Sequence, residues 1–412
     1  MDRVLIVLWI ASLGVDRIDL LGGNGPLVLL PFQLLTALTV LAEWTRRLRA
    51  GRLPVASPNT RLFAALLLAL LAMVALSILR SADVVTSLGR ALLFSATALG
   101  VSLAVWGAAD RDAVGALLAR GAQVGLLVAL LFNALCILAL LGVIPEQQVL
   151  GLVAVDLTPS VYGTLPRLGG GALDMNRGGL MALIHTLLIA LAPGRIRARS
   201  AWIAFGAVLV LGSLSRSVFL AALPVLIYAA MRAQGRLPSA RPVIVALVGI
   251  ALAATALLNP TIRERTARAT APLADRVSLR EGSAQSHLEL FARAGDVATR
   301  NVAGTLLGIG FGTSFRELAD YFAGNRYGNF HSTWLTLWVE SGIFSALIAL
   351  ALIVGPLRQA GPLRGLLIGL VLYNAFYNGL SEPLLWVTLA LAWIAPQVLA
   401  GPRTPHRMAE VN

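Results

Sequence analysis

RLFAALLLALLAMVALSILR, residues 61–80, carries no charge between its two terminal arginines. A helix that spans a bilayer needs roughly 20 predominantly apolar residues, and this run supplies them. Comparable runs recur on both sides of it, separated by short arginine-bearing loops. We place spans near 3–15, 26–43, 62–79, 91–108, 121–142, 178–193, 201–214, 217–231, 242–259, 332–354, 365–380 and 383–400. The expected fold is an all-α integral membrane protein with about 12 transmembrane helices.

The whole composition agrees. With 412 residues, 58% of them hydrophobic, and a mean hydropathy of +0.80, the chain is too apolar for an ordinary soluble globule. The expected organisation is nine spans over 1–259, a loop subdomain over 260–331, three spans over 332–400 and a cytoplasmic tail over 401–412. Short loops set orientation by their basic residues. With the N-terminus inside, the inner loops hold thirteen arginines, Arg46, Arg47, Arg111 and Arg364 among them, and the outer ones six, including Arg17, Arg80, Arg90, Arg167, Arg177 and Arg216. Both ends are therefore expected inside and the 260–331 loop outside. The net charge of +13 reads as topology and attraction to anionic lipids. No basic strip interleaved with aromatics suggests a nucleic-acid partner. All 33 basic residues are arginine, so the lysine of a Walker phosphate loop is missing and ATP-driven transport by this chain is disfavoured. MDRVLIVLWIASLG at the start reads as an uncleaved first helix. Cys136 is the single cysteine, which excludes an internal disulfide.

Two outer segments exceed what a connector needs. One, about 143–179, is rich in Gly and Pro. In the other, 260–331, SFRELADYFAG sets Phe315, Leu318, Ala319 and Phe322 at helical spacing, and SHLELFARAGDVATRN does the same for Leu288, Phe291 and Ala294. Two amphipathic helices are expected there, lying on the membrane or roofing a cavity. Between them, Gly308, Gly310 and Gly312 of GIGFG permit a tight turn.

Few residues in such a chain can carry chemistry. His331, in GNFHSTWLTLWVE, falls at the expected outer surface, either as a helix-boundary residue or as a proton acceptor near neutral pH. Trp334 and Trp338 follow at spacings of three and seven and are expected on its helical face, as an aromatic belt or as a wall beside it. Glu340 is expected deep in that span, where a carboxylate needs a partner, expected from a neighbouring helix. Arg216 lies in LGSLSRSVFL, where two spans nearly touch; it either snorkels to lipid phosphate or forks onto an anionic ligand. Arg177, beside Asn176 in DMNRGGL, reads the same way, with a helix N-terminus adding N–H groups. Arg280 and His287 flank the start of the first amphipathic helix in the long loop. His185 is mid-span, and His406 is in the tail. No HExxH or CxxC occurs, and the DRD at 110–112 lies on the opposite, inner side, so no metal site is expected. Asn374, Tyr377 and Asn378 could line a polar cavity.

Together these features resemble the O-antigen ligase and polymerase superfamily of bacterial envelope glycan transferases. His331 and Ser332, nine residues, then Gly342 resemble the ligase signature. The long outer loop before the histidine, GIGFG at 308–312 and SRS at 215–217 also recur in the family. Ser345 stands where the signature has a second glycine, and no Thr-Thr follows. Arg280 aligns with the family's loop arginine, or His287 fills its slot. The resemblance implies a donor glycan on undecaprenyl pyrophosphate, a sugar hydroxyl of lipid A core or of a growing glycan as acceptor, membrane lipids as surroundings, and transfer with inversion requiring no cofactor or metal. It implies His331 on the acceptor side, and Arg216 and Arg280 at the leaving pyrophosphate. Arg177, Asn176, His287, Ser332, Trp334 and Trp338 are the expected substrate contacts. The expected location is the bacterial inner membrane, with the site facing the periplasm. A ligase is favoured over a polymerase joining repeat units on the same carrier. A lipid or polysaccharide transporter is the reading from another class, although no internal repeat supports it.

Overall fold

The run quoted first forms one helix, Pro58–Ile78, opened by the Ser57 side chain accepting the Thr60 N–H. One stripe, Phe63, Leu67, Leu70, Val74 and Ser77, faces the protein, while Leu62, Leu68 and Leu76 remain exposed. A helix apolar on its exposed face is built for lipid. The computed structural model describes residues 2–22, 28–51, 57–109, 111, 113–150, 153–162, 165–194, 196–233, 282–320 and 328–398. The expected span at 242–259, Arg280 and the 401–412 tail lie outside them.

The helices are α1 (Asp2–Ser12), α2 (Pro31–Arg49), α3 (Pro58–Ile78), α4 (Val84–Ala108), α5 (Val114–Leu140), α6 (Met175–Leu191), α7 (Arg199–Gly212) and α8 (Arg216–Ala233). From residue 282 onward the described helices are α9 (Gly282–Thr299), α10 (Val302–Leu307), α11 (Ser314–Glu317), α12 (Thr333–Ser341), α13 (Ile343–Val354), α14 (Arg364–Phe376) and α15 (Pro383–Ile394). The chain is mostly helical, as a membrane-embedded reading requires.

Among the described residues, three helices, α3, α4 and α5, are long and apolar enough to cross a bilayer alone. Others, such as α7 with 14 residues and α15 with 12, fall short of the expected full spans. The expected 332–354 span is interrupted: Gly342, at φ 85° and ψ 165°, ends α12 and starts α13. The 143–179 segment is not simple coil. It forms β2 (Gln147–Leu150) and β3 (Val153–Asp156), with β3 also pairing antiparallel to β1 (Ile18–Asp19), and a small hairpin of β4 (Val161–Tyr162) and β5 (Leu165–Pro166). Apolar periodicity for long helices dominates this sequence, and strands of two to four residues leave too short a pattern to read.

In the long loop the first amphipathic helix exists, as α9, and buries Leu290, Ala294, Val297 and Ala298 against Leu318, Phe330 and Val339. The second is shortened to the single turn of α11. Its Leu318 leaves the helix to fill this cluster, so the helix does not continue through 318–320; Phe322 lies outside the described residues.

Two ends of the bundle differ in chemistry. At one, Glu43, 1% exposed, pairs with Arg46 and Arg111, and Arg47 donates to the carbonyls of Trp106 and Gly107 at the C-terminus of α4. Cations at a helix C-terminus satisfy its orphan carbonyls. Arg111 of the DRD segment is therefore ion-paired rather than solvated. The other end gathers the C-terminus of α1 and the N-termini of α6, α8, α12 and α15.

Candidate functional site

Asp174 opens α6: its side chain accepts the N–H groups of Asn176 and Arg177 at 2.7 and 3.1 Å. Gly178 and Gly179 follow because the backbone is crowded there. A Cβ at Gly178 would strike the Gly169 carbonyl, and one at Gly179 would lie 2.6 Å from the Ser213 hydroxyl. That approach brings α6 to the turn before α8, where Ser215 donates to Asn176 Oδ1 at 2.6 Å and caps the Val218 N–H at 3.3 Å. Leu214, at φ 51°, makes the reversal that lets Arg216 begin α8 beside Asn176. Thus Asn176 and the SRS segment meet in space, 39 positions apart in sequence.

Arg177 is differently placed from the expected anion fork. Its guanidinium pairs with Asp16 and, through Nε at 2.7 Å, with Glu382. Two carboxylates of the chain hold it where a substrate anion was expected. Burial pushes the Glu382 carboxyl up to about 7, with the neighbouring Arg177 pulling it down.

His331 lies outside the helix that follows it. Ser332 is the cap of α12, and its side chain accepts the Leu335 N–H at 3.4 Å. His331 has φ 50°, in the left-handed region that few non-glycine residues enter. Asn329 holds it there by accepting the His331 N–H at 2.8 Å. Burial lowers the imidazole pKa from its ordinary 6.5, opposed by the Asp174 carboxylate nearby. A neutral imidazole at neutral pH is the form that can accept a proton.

Because His331 is not helical, Trp334 and Trp338 do not share a face with it. Trp334 donates to the Val371 carbonyl at 3.4 Å, and Trp338 packs between the main core and the α9 cluster. Both serve helix packing here, and neither lines the cavity described next. Glu340 finds its partners in the GIGFG turn and, as expected, on a neighbouring helix, at the start of α11: it accepts from Gly312 N at 2.8 Å, Ser314 N at 3.2 Å and the Ser314 hydroxyl at 2.6 Å. The turn is bound to the interrupted helix by its backbone as well, Ile309 N to Val339 O at 2.9 Å and Gly310 N to Glu340 O at 3.0 Å.

Two residues before His331, Asn329 borders a cavity of about 680 Å³, within the size range of small-molecule sites, which His331 itself does not line. Gly328 and Asn329 of the histidine loop line it, with Asp16, Asp174, Arg177, Glu340 and Glu382. Tyr377 and Asn378 line it too, as expected, whereas Asn374 instead accepts from Thr333 at 2.6 Å and ties α12 to α14.

Residues 200–350 match the family described as O-antigen ligase. That match supports assignment to the O-antigen ligase and polymerase superfamily. The O-antigen ligase match spans Arg216, the GIGFG turn, His331 and Gly342, so it covers the motifs whose contacts are described above. Together with the apolar helices it indicates a membrane protein with a ligase- or polymerase-type function. No curated protein matches the chain.

His287 falls in α9, and Arg280 precedes it outside the described residues. Asp16, Arg90, Asp174, Thr336 and Glu382 were not singled out from the sequence. Asp174 and Glu382 had a signal, an acid immediately before a helix start, Glu382 with proline at the next position. Asp16 and Arg90 carry no local pattern, since their meeting depends on how α1 and α4 pack.

Proposed function

We propose that the chain is a metal-independent glycosyltransferase that moves a glycan from undecaprenyl pyrophosphate to a sugar hydroxyl, at the periplasmic face of the bacterial inner membrane. The observation that carries this reading is His331: half-buried, with its pKa lowered by burial, held in a strained turn by the cavity-lining Asn329, within a stretch matching O-antigen ligase. In the reaction His331 accepts the proton of the acceptor hydroxyl as its oxygen attacks the anomeric carbon. The bond from that carbon to the pyrophosphate oxygen breaks on the opposite face, which inverts the centre. Arg216, with Arg280 or His287 from the long loop, meets charge growing on the departing pyrophosphate. Asn176 and Ser332 support this by fixing the α8 turn and the start of α12. Periplasmic placement rests on the arginine distribution, which puts the helix ends gathered here on the outer side.

Arg216→Lys keeps the charge and loses the two-pronged geometry. Transfer is expected to fall at least about tenfold, or about 1.4 kcal/mol in the barrier. Full activity at normal protein level would return Arg216 to a lipid-phosphate anchor.

A ligase acting on lipid A core is favoured over a polymerase by the spacing from His331 to Gly342. Deleting the gene in its host and separating lipid-linked from core-linked glycan tests both readings. With a ligase, long polymer should accumulate on the lipid carrier while the core stays bare. Core capped by a single repeat would identify a polymerase. Unchanged glycan on both carriers would overturn the transferase reading and favour a transporter.

A further inference from the structure

The cavity has two unlike walls. Phe32, Leu93, Phe94 and Phe311 form an apolar one, with the Phe94 and Phe311 rings 5.3 Å apart. The other is acidic, with Asp16, Asp174, Glu340 and Glu382 against two guanidiniums, Arg90 and Arg177. Both arginines are already engaged. Arg177 pairs with Asp16 and Glu382, while Arg90 donates to the Gly312 carbonyl and lies over Phe315. Glu340 and Asp174 are committed to the GIGFG turn and to the start of α6. Glu382 and Asp16 keep acceptor capacity, because a carboxylate offers about four lone-pair sites and the described contacts use one on Glu382 and two on Asp16.

Thr336 is the independent sign that something polar enters. The residue is 2% exposed and lines the cavity, and its hydroxyl, sealed from solvent in this rotamer, has no hydrogen-bond partner among the described residues. An unsatisfied buried hydroxyl costs about 1–3 kcal/mol, and helical threonines ordinarily avoid this by bonding a carbonyl one turn back. Thr97, on the same cavity, does so with Leu93.

We propose, on the transferase reading above, that this cavity is the subsite for the acceptor's reacting sugar, and that it selects a sugar without anionic substituents. Sugar hydroxyls donate to Glu382 and Asp16, one hydroxyl pairs with Thr336 once its side chain turns into the cavity, and the apolar ring face packs on Phe94 and Phe311. A sugar phosphate would set its charge against these carboxylates with both arginines already taken. Arg177 is a positioning residue in this scheme, holding two carboxylates apart and aimed.

The test uses the full chain in lipid nanodiscs and three probes: a neutral trisaccharide, the same trisaccharide with one hexosamine, and the same with one hexose phosphate. Calorimetric titration should show the first two binding at least about tenfold more tightly than the third. Thr336→Val, which removes only the hydroxyl, should weaken the neutral probe about two- to tenfold, and in a transfer assay it should raise acceptor KM more than it lowers kcat. Glu382→Gln should narrow the discrimination against the phosphorylated probe. Equal or tighter binding of the phosphorylated probe overturns the proposal, as does a Thr336→Val protein that binds all three like the wild type. If Glu382→Gln fails to fold, the Thr336→Val comparison still decides. Selective binding without any transfer would support the subsite and overturn the transferase reading. Transfer with equal binding of all probes would do the reverse.

Discussion

Transfer by the His331→Ala protein is expected to fall by about 10²–10⁴-fold, the usual contribution of a positioned general base. Insertion and binding of the lipid-linked donor should be retained, because the imidazole is assigned to the acceptor side. The pH dependence supplies a second readout. Burial lowers the His331 pKa below 6.5, so the active neutral form prevails at neutral pH. Activity should therefore be full above that pKa and fall as pH drops through it, with the acidic limb of kcat/KM lying below pH 6.5. The alanine variant should lack this limb in whatever activity remains. Wild-type transfer by His331→Ala would sink the assignment, and loss of donor binding would move His331 to the pyrophosphate side. Asn329→Ala is the useful companion, since it removes the bond that holds the histidine at φ 50° while leaving the imidazole in place.

His331 could be found from the sequence because a lone histidine at the edge of an apolar run, at a fixed distance from Gly342, is a local pattern. Its setting could not. Helical spacing placed Trp334 and Trp338 on its face, but that inference assumes the helix includes position 331, whereas Ser332 caps it and the histidine turns away. Arg177 illustrates the same limit. An arginine at a helix start looks like an anion site until the fold delivers Asp16 from α1 and Glu382 from before α15, contacts spanning 161 and 205 positions. The number of spans suffers from a related blindness. Hydropathy measures apolar length and cannot see a backbone break such as Gly342, which divides one expected span into helices of 9 and 12 residues. The long apolar helices α3, α4 and α5 are legible for the opposite reason, since length and composition alone decide them.

Gly342→Ala should be the most damaging small substitution outside the reacting groups. At φ 85° and ψ 165° Gly342 occupies backbone space essentially reserved for glycine. A Cβ there would also collide with the Leu306 carbonyl at the end of α10. Gly308, at φ 74° and ψ −168°, mirrors it, since a Cβ on Gly308 would run into the Glu340 carbonyl group. The two glycines thus let the GIGFG turn and the α12–α13 break dock backbone to backbone, and the Glu340 carboxylate closes the joint through Gly312 and Ser314. Forcing this joint apart should cost at least about 3 kcal/mol, combining backbone strain with a steric clash. It would be read as a lowered unfolding midpoint of the purified protein in nanodiscs. Transfer should be lost as well, because Phe311, Gly312, Ser314 and Glu340 all line the cavity. Ser345→Gly makes the contrast. Ser345 stands where the family signature has glycine, yet it lies inside α13 with its hydroxyl bonded to the Ser341 carbonyl at 2.7 Å. Exchanging it should cost only about 1 kcal/mol, the ordinary penalty for glycine in a helix. A Gly342→Ala protein as stable and active as the wild type would mean that the break at 342 is not required, and the docking of GIGFG on α12 would lose its physical basis.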